Sequence, residues 1–176
     1  MDIGVATHTA RQIADAARLL GAKESARPLV VSATVGDLVP LYDVLVTHDG
    51  LREVSRQLFV DGHYARAVEE AYKFFNNEVK RRAGSKKDGP DLMHHVFNED
   101  RPIMKLNALR STSERDEQAG YRFIFAGAMA GVRNPRAHEH DLRDQPEAAL
   151  ELLVMANHLL RAVGKAKRAR RRRTGS

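Results

Sequence analysis

The sequence predicts an all-α protein, an antiparallel bundle of short and long helices with an N-terminal extension and a basic C-terminal tail. Apolar residues recur at the three-to-four spacing of amphipathic helices along most of the chain after residue 50. Helix caps and glycine stops separate these stretches. With 176 residues, of which 43% are hydrophobic, the chain is large enough to bury one core.

The composition excludes several classes of protein. The chain contains no cysteine, which rules out disulfides, cysteine nucleophiles and thiolate metal sites. No run approaches the roughly 20 apolar residues of a membrane span, and the N-terminus lacks the pattern of a secretory signal. We therefore expect a cytoplasmic protein without a membrane partner.

Residues 1–47 form the predicted extension. A helical pattern runs from Thr9 to Leu20. An irregular connector follows, with prolines, glycines and β-branched residues in close succession. Short strands, or a short helix near Asp37–Leu45, are the alternatives for this connector.

The main domain is predicted over residues 48–163. A short amphipathic helix over Leu51–Phe59 ends at Asp61-Gly62, because glycine suits the left-handed conformation after a helix. A long helix follows from about His63 to Arg82, and its basic last turn complements the helix dipole. After a polar loop, Asp91–Phe97 is predicted to be another short helix.

The second half of the domain contains two longer helices. Ser111 and Glu114 have the spacing of a capping box, which predicts a helix from here to about Arg133. The last helix begins at Asp144, with Pro146 in its first turn.

Three glycines, Gly120, Gly127 and Gly131, interrupt the helix that ends near Arg133. Each costs a helix interior about 1 kcal/mol relative to alanine. Such a stretch is expected where another backbone approaches closely. Tight packing within the chain and a seam between two subunits are both compatible with it.

The basic charge is concentrated at the C-terminus. The formal net charge is +6, and residues 165–176 hold seven basic residues and no acidic one. Removing those seven from the 29 basic residues leaves 22 against 23 acidic residues. The segment 164–176 is therefore a tail that we expect to be disordered. It either binds phosphates electrostatically or is merely solvated.

The densest cluster of reactive side chains is RNPRAHEH, from Arg133 to His140. Pro135 is expected to break or kink the helix near Asn134, which would let Arg133 and His138 turn toward one point. Arginine binds phosphate bidentately, and histidine exchanges protons near neutral pH. Together they suit cleavage of a ribose-phosphate backbone without metal. An ordinary salt-bridge cluster at a helix end is the alternative.

The stretch from Arg133 to His138 resembles the Arg-x4–6-His motif of the HEPN superfamily, including the polar Asn134 after the arginine. About residues 48–163 also resemble one of its families, the Ymh-like proteins of bacteria. The matching segments are LREVSRQLFVDGHYARAVEEAYKFFNNEVK, DGPDLMHHVF, SERDEQAGYRFIFAGAMAGVRNPRAHE and PEAALELLVMANHLL.

This resemblance implies a HEPN-like helical bundle that dimerises and sets two motifs opposite each other. Active members of the superfamily are metal-independent endoribonucleases that serve as toxins or anti-phage effectors, often restrained by an antitoxin or a sensor protein. By position, Arg133 would hold the phosphate and His138 would transfer protons. Asn134 would orient the histidine or the phosphate by hydrogen bonding. The cleavage would proceed by 2′-hydroxyl attack and leave a 2′,3′-cyclic phosphate, with no metal and no cofactor.

Further residues are candidates for RNA contact. Lys73 follows Glu69 at the spacing of a second superfamily motif, although Phe74 replaces its last basic residue. His140 stands where one branch has a tyrosine, and it is also a candidate second proton carrier. The remaining candidates are Arg136, Arg170, Arg171 and Arg172. The alternative function is a non-catalytic module that binds nucleic acid or a nucleotide and scaffolds a defence complex.

Overall fold

The computed structural model describes residues 35–138 and 143–169. The predicted helix over Thr9–Leu20 lies outside the described residues, and so do His140 and the three arginines over 170–172. The described residues belong to one compact unit that begins at Thr34.

The fold is helical, which confirms the predicted all-α class. The helices are α1 (Val35–Leu45), α2 (Asp49–Val60), α3 (Tyr64–Ala83), α4 (Gly89–Val96), α5 (Thr112–Gly127), α6 (Asn134–His138) and α7 (Pro146–Lys165). A π-helical segment, Ala128–Arg133, joins α5 to α6. Strands β1 (Met104–Lys105) and β2 (Lys167–Arg168) pair antiparallel. Within the described part of the chain, every helix is too short or too polar to cross a membrane.

Helix α3 is the centre of the bundle. It packs against α2, α4, α7 and the π-helical segment. Its buried face places Phe75 against Phe125 of α5, with ring centroids 5.5 Å apart, and Phe97 lies 4.7 Å from Phe125. Aromatic pairs at these separations add to the stabilisation from burial alone. Helix α3 therefore packs directly against the π-helical segment and α6, on which the motif residues lie.

Local signals place the helix ends where the sequence predicts them. The Ser111 side chain accepts from the Glu114 N–H, and Glu114 in turn accepts from the Ser111 N–H, which confirms the capping box. Gly62 follows α2 with φ +80°, and Gly84 follows α3 with φ +63°. Both glycines adopt the left-handed conformation that residues with a Cβ rarely tolerate.

The N-terminal boundary of the bundle lies earlier than residue 48. Of the alternatives for the connector, the structure shows the helix, α1, which packs on α7. Asn157 of α7 fixes the turn after α1: its Oδ1 accepts from the N–H groups of Thr47 and His48, each at 3.0 Å, and its Nδ2 donates to the Leu45 carbonyl. These three hydrogen bonds attach α1 to the domain.

The first residues of the basic C-terminal segment are part of the fold, unlike the disordered tail that we expected. Ala166 is buried, and its carbonyl accepts from Arg82 Nη2 at 2.8 Å. Strand β2 then pairs with β1, and the Ala169 N–H donates to the Ile103 carbonyl at 2.8 Å. Backbone pairing and one buried side chain thus hold residues 166–169 against the bundle.

Candidate functional site

A π-helical turn presents the Arg-x4-His motif. The Asn134 N–H donates to the carbonyl of Met129, five residues back, as in a π-helix. Asn134 itself is helical, with φ −63° and ψ −45°, so of the predicted break or kink the structure shows no break at this residue. The extra residue of a π turn displaces the carbonyl that the ring of Pro135 would meet in a regular α-helix. The helix therefore continues through the proline into α6.

Arg133 ends the π-helical segment and is half-buried. Its Nη1 lies 3.5 Å from Asn134 Oδ1, which is a long hydrogen bond. Its Nε is buried and has no hydrogen-bond partner among the described residues. A buried guanidinium nitrogen without an acceptor is costly, so Arg133 is suited to accept an anionic ligand.

The carboxylate of Asp88 has several polar and charged neighbours, and Arg133 is one of the charges that act on it. Asp88 accepts hydrogen bonds from the Asn76 side chain and from the Gly89 N–H, and Lys80 Nζ lies 3.6 Å from it. Burial acts to raise the pKa of Asp88, but these hydrogen bonds and the charges of Lys80 and Arg133 outweigh it and lower that pKa below its usual value. Asp88 thus supplies a fixed negative charge near Arg133.

His138 is exposed at the end of α6. Among the described residues, it forms no hydrogen bond or ion pair, either with Arg133 or with any other side chain. Five α-helical steps place two side chains about 140° apart around the helix axis. The structure therefore does not bring Arg133 and His138 together within one chain.

Arg136 is engaged at all three guanidinium nitrogens. Its Nε and Nη2 donate to the two carboxylate oxygens of Asp144 at 2.7 and 2.6 Å, and its Nη1 donates to the Val132 carbonyl at 2.9 Å. The side chains of Arg136 and Asp144 are only 10% and 11% exposed. This bidentate pair ties α6 to the start of α7.

The Arg136–Asp144 pair forms one wall of a cleft of about 700 Å³. The opposite wall comes from the turn between α2 and α3, with Arg66 and Glu69. Lys73 contacts Glu69 at 2.9 Å and Glu70 at 3.2 Å, and Arg66 also bonds Glu69. Hydrogen bonding to Glu69 raises the pKa of Lys73 above its usual value. The charge of Lys73 is therefore balanced inside the chain.

Sequence reasoning missed Asn76, Lys80 and Asp88 as neighbours of the motif. Glu69, Lys73, Asn76 and Lys80 follow one another at helical spacings of four, three and four, which places them on one face of α3. That polar stripe was readable in the sequence as a second face beside the apolar one. Within the described ranges, no three histidine or carboxylate side chains are close enough together to hold a metal ion.

One face of α5 and of the π-helical segment is exposed and apolar. Phe123 is 60% exposed and Ile124 is 49% exposed. No described atom outside its own helix lies within 4 Å of where a Cβ would stand at Gly120, Gly127 or Gly131. Tight packing within the chain was one of the two explanations for these glycines, and the described residues show none. A seam between two subunits is the explanation that is left.

Comparison with known proteins gives one match. The model of the family described as "Protein of unknown function (Hypoth_ymh)" matches residues 46–163, which confirms the resemblance to the Ymh-like proteins. The matched region runs from just before α2 into α7 and includes the motif. No curated protein and no solved structure matches the chain.

Proposed function

We propose that this chain, which belongs to the Hypoth_ymh family, is a metal-independent endoribonuclease of the HEPN type that acts as a homodimer. The observation that carries the proposal is the state of the motif side chains. Arg133 has a buried Nε without an acceptor among the described residues, and His138 is exposed one turn further along. A phosphate could bind the Arg133 guanidinium, which forms no ion pair with a described carboxylate, and a substrate could reach His138.

In the proposed reaction, the 2′-hydroxyl of the substrate attacks the adjacent phosphorus. One His138 removes the proton of this hydroxyl, and the bond between phosphorus and the 5′-oxygen breaks. A second His138 protonates the leaving 5′-oxygen, so the products are a 2′,3′-cyclic phosphate and a 5′-hydroxyl. Arg133 stabilises the charge that develops on the phosphoryl oxygens, and Asn134 orients the Arg133 guanidinium.

The dimer is part of this mechanism for two reasons. One histidine is poorly placed to act on both sides of the scissile bond, whereas two chains supply two. Arg133 and His138 also point in different directions within one helix, so a second copy offers the missing partner. The exposed face around Ile124 and Gly127 is the surface that we assign to this contact, since its glycines allow two helices to approach closely.

As a cellular role, we propose a cytoplasmic toxin or anti-phage effector held inactive by an antitoxin or sensor protein. This role follows from the resemblance of RNPRAH to the HEPN motif.

The test of the activity is single-turnover cleavage of RNA in EDTA by the full chain. Arg133→Ala and His138→Ala should each abolish cleavage, whereas Arg101→Ala and His95→Ala, two exposed residues of the same types, should not. The 5′ product should carry a cyclic phosphate, and a 2′-deoxy nucleotide at the scissile position should block the reaction. Equal cleavage by all variants would contradict the proposal.

The alternative of a non-catalytic binding module is supported by the separation of Arg133 and His138 within one chain. In that case the chain would bind RNA or a nucleotide, binding would survive His138→Ala, and no product would form under any condition. The same set of variants therefore decides between the two functions.

A further inference from the structure

The described lysines and arginines differ in whether a carboxylate pairs with them. Nine lie within 4 Å of a carboxylate: Arg52, Arg56, Arg66, Lys73, Lys80, Arg81, Arg82, Arg122 and Arg136. In contrast, five cations around the end of α7 and the β1–β2 pair form no ion pair with any described carboxylate. We name these five the basic track: Lys105, Arg161, Lys165, Lys167 and Arg168.

The strand pair places like charges side by side. Lys105 of β1 lies directly opposite Lys167 of β2. Two like charges in directly opposed positions destabilise a strand pair, and a bound anion would remove that cost. Arg168 pairs with Met104, so its side chain lies on the other face of the strand pair from Lys167. Its guanidinium lies 3.4 Å from where a Cβ of Gly84 would stand, at the end of α3.

A groove of about 310 Å³ between α5 and α7 forms one end of the basic track. Arg161 and Lys165 line it, as do Tyr121 and His158. The two aromatic rings are nearly parallel, at 23°, with centroids 6.0 Å apart, and Tyr121 Oη lies 3.0 Å from His158 Nε2. Glu117 is the one carboxylate lining this groove. An aromatic platform between cations is what binds the bases of single-stranded nucleic acid.

The other end of the basic track leads toward the motif. Gly84, beside Arg168, begins the loop that contains Lys86 and Lys87, which also form no ion pair with the described carboxylates. This loop ends at Asp88, and the positive charge of Arg133 contributes to the lowered pKa of its carboxyl group. Lys86 and Lys87 therefore lie along the chain between the end of the basic track at Arg168 and Asp88.

We propose that the basic track and the groove bind single-stranded RNA, with phosphates on the basic track and one base against Tyr121 and His158. The inference rests on the proposed function, since it supplies the path by which a substrate strand would leave the motif. A rigid duplex keeps its bases stacked inside and would not reach the groove, whereas a single strand presents them.

The first test measures binding of the full chain to a labelled, single-stranded 2′-O-methyl RNA by fluorescence anisotropy. This RNA lacks the attacking hydroxyl, so binding is measured independently of cleavage. Lys165→Ala/Lys167→Ala should weaken binding about tenfold and lower the slope of log affinity against log salt by about 1.4. Arg56→Ala/Arg66→Ala removes the same charge from ion-paired residues and should leave both nearly unchanged.

The second test concerns the groove. Tyr121→Phe keeps the ring and should keep affinity, whereas His158→Ala and Tyr121→Ala should each weaken binding about tenfold. Tyr121 also contacts Phe125, so Tyr121→Ala could weaken binding by disturbing the fold. His158 is exposed, so a loss of binding in His158→Ala reports on the groove itself.

Three results would overturn the inference: an equal loss in both double-alanine variants, equal affinity for an RNA duplex, or equally effective displacement by polyglutamate. If the chain binds RNA through the basic track but no variant or condition gives cleavage, the proposed ribonuclease activity is contradicted and the inferred RNA-binding surface is not.

Discussion

Arg133 and Arg136 lie three residues apart and have opposite surroundings. Arg136 donates from all three nitrogens to groups of its own chain, whereas Arg133 keeps a buried Nε without an acceptor among the described residues. The sequence predicts Arg133 as the phosphate-binding residue and Arg136 as a further RNA contact or a member of a surface ion pair. Only the position of Asp144, eight residues after Arg136, distinguishes an arginine that holds the fold from one that is suited to a ligand.

We expect Arg136→Ala to destabilise the protein by about 3 kcal/mol, because it leaves Asp144 as a buried, unpaired charge. The midpoint of urea unfolding, followed by circular dichroism, measures the effect. Arg136→Leu/Asp144→Leu should recover part of the loss, since both charges are then removed. Arg133→Ala is the matched control, and a loss as large as that of Arg136→Ala would contradict this assignment.

Asp88 should make stability depend on pH in acid. Its pKa is lowered in the folded state, so its carboxylate stabilises the fold above the unfolded pKa, and that contribution is lost as the pH falls through the folded pKa. Asp88→Asn keeps a helix-capping side chain but does not titrate. The advantage of wild type over Asp88→Asn should be complete at pH 7 and should shrink below about pH 4.

Urea unfolding of both proteins across this pH range measures the difference. Asp91→Asn, an exposed position in the first turn of the same helix, is the control. A difference between wild type and Asp88→Asn that grows as the pH falls would contradict the ion network around Asp88.

At the scale of elements, the exposed face of α5 is the surface that we propose for the dimer contact. We expect Ile124→Glu to convert the dimer to a monomer, because a charge at the centre of an apolar contact must be desolvated when that contact forms. Light scattering after gel filtration measures the mass, and the helix content should stay unchanged. Val44→Glu makes the same change at an exposed position on α1 and should remain dimeric. Monomeric wild type would contradict the assignment of this face.

Sequence patterns predicted the elements whose signals are local. Ser111 and Glu114 set the start of α5 by their own side chains, and Gly62 sets the end of α2 by its lack of a Cβ. The π-helical segment could not be predicted in this way, because it depends on which carbonyl each N–H selects, and Pro135 suggested a break instead. The pairing of Lys105 with Lys167 joins residues far apart in sequence, and no local pattern encodes it.

At the scale of the molecule, charge is sorted by location. Ion pairs join α2 to α1 and α6 to the segment before α7, and another lies within α3, while the unpaired cations around β1 and β2 face solvent. Buried pairs such as Arg136–Asp144 are screened little by salt, whereas phosphate contacts release counterions and depend steeply on it. Stability and RNA affinity should therefore respond differently to ionic strength.

We expect an increase from about 50 to 200 mM salt to lower RNA affinity about 100-fold, as for five phosphate contacts on a single strand. The midpoint of urea unfolding should change little over the same range. Anisotropy and unfolding measured in the same buffers provide the comparison. An affinity that falls less than about fivefold would show that few phosphates are contacted.

The π-helical segment has a consequence for how this family can change. Such a turn differs from a regular helix by one inserted amino acid, which is a single codon in the gene. Deleting Ala130 would return the segment to a regular α-helix, and the ring of Pro135 would then meet the carbonyl four residues before it. Presence or absence of one codon would therefore decide whether a descendant of this protein can keep its proline without bending the helix that presents the motif.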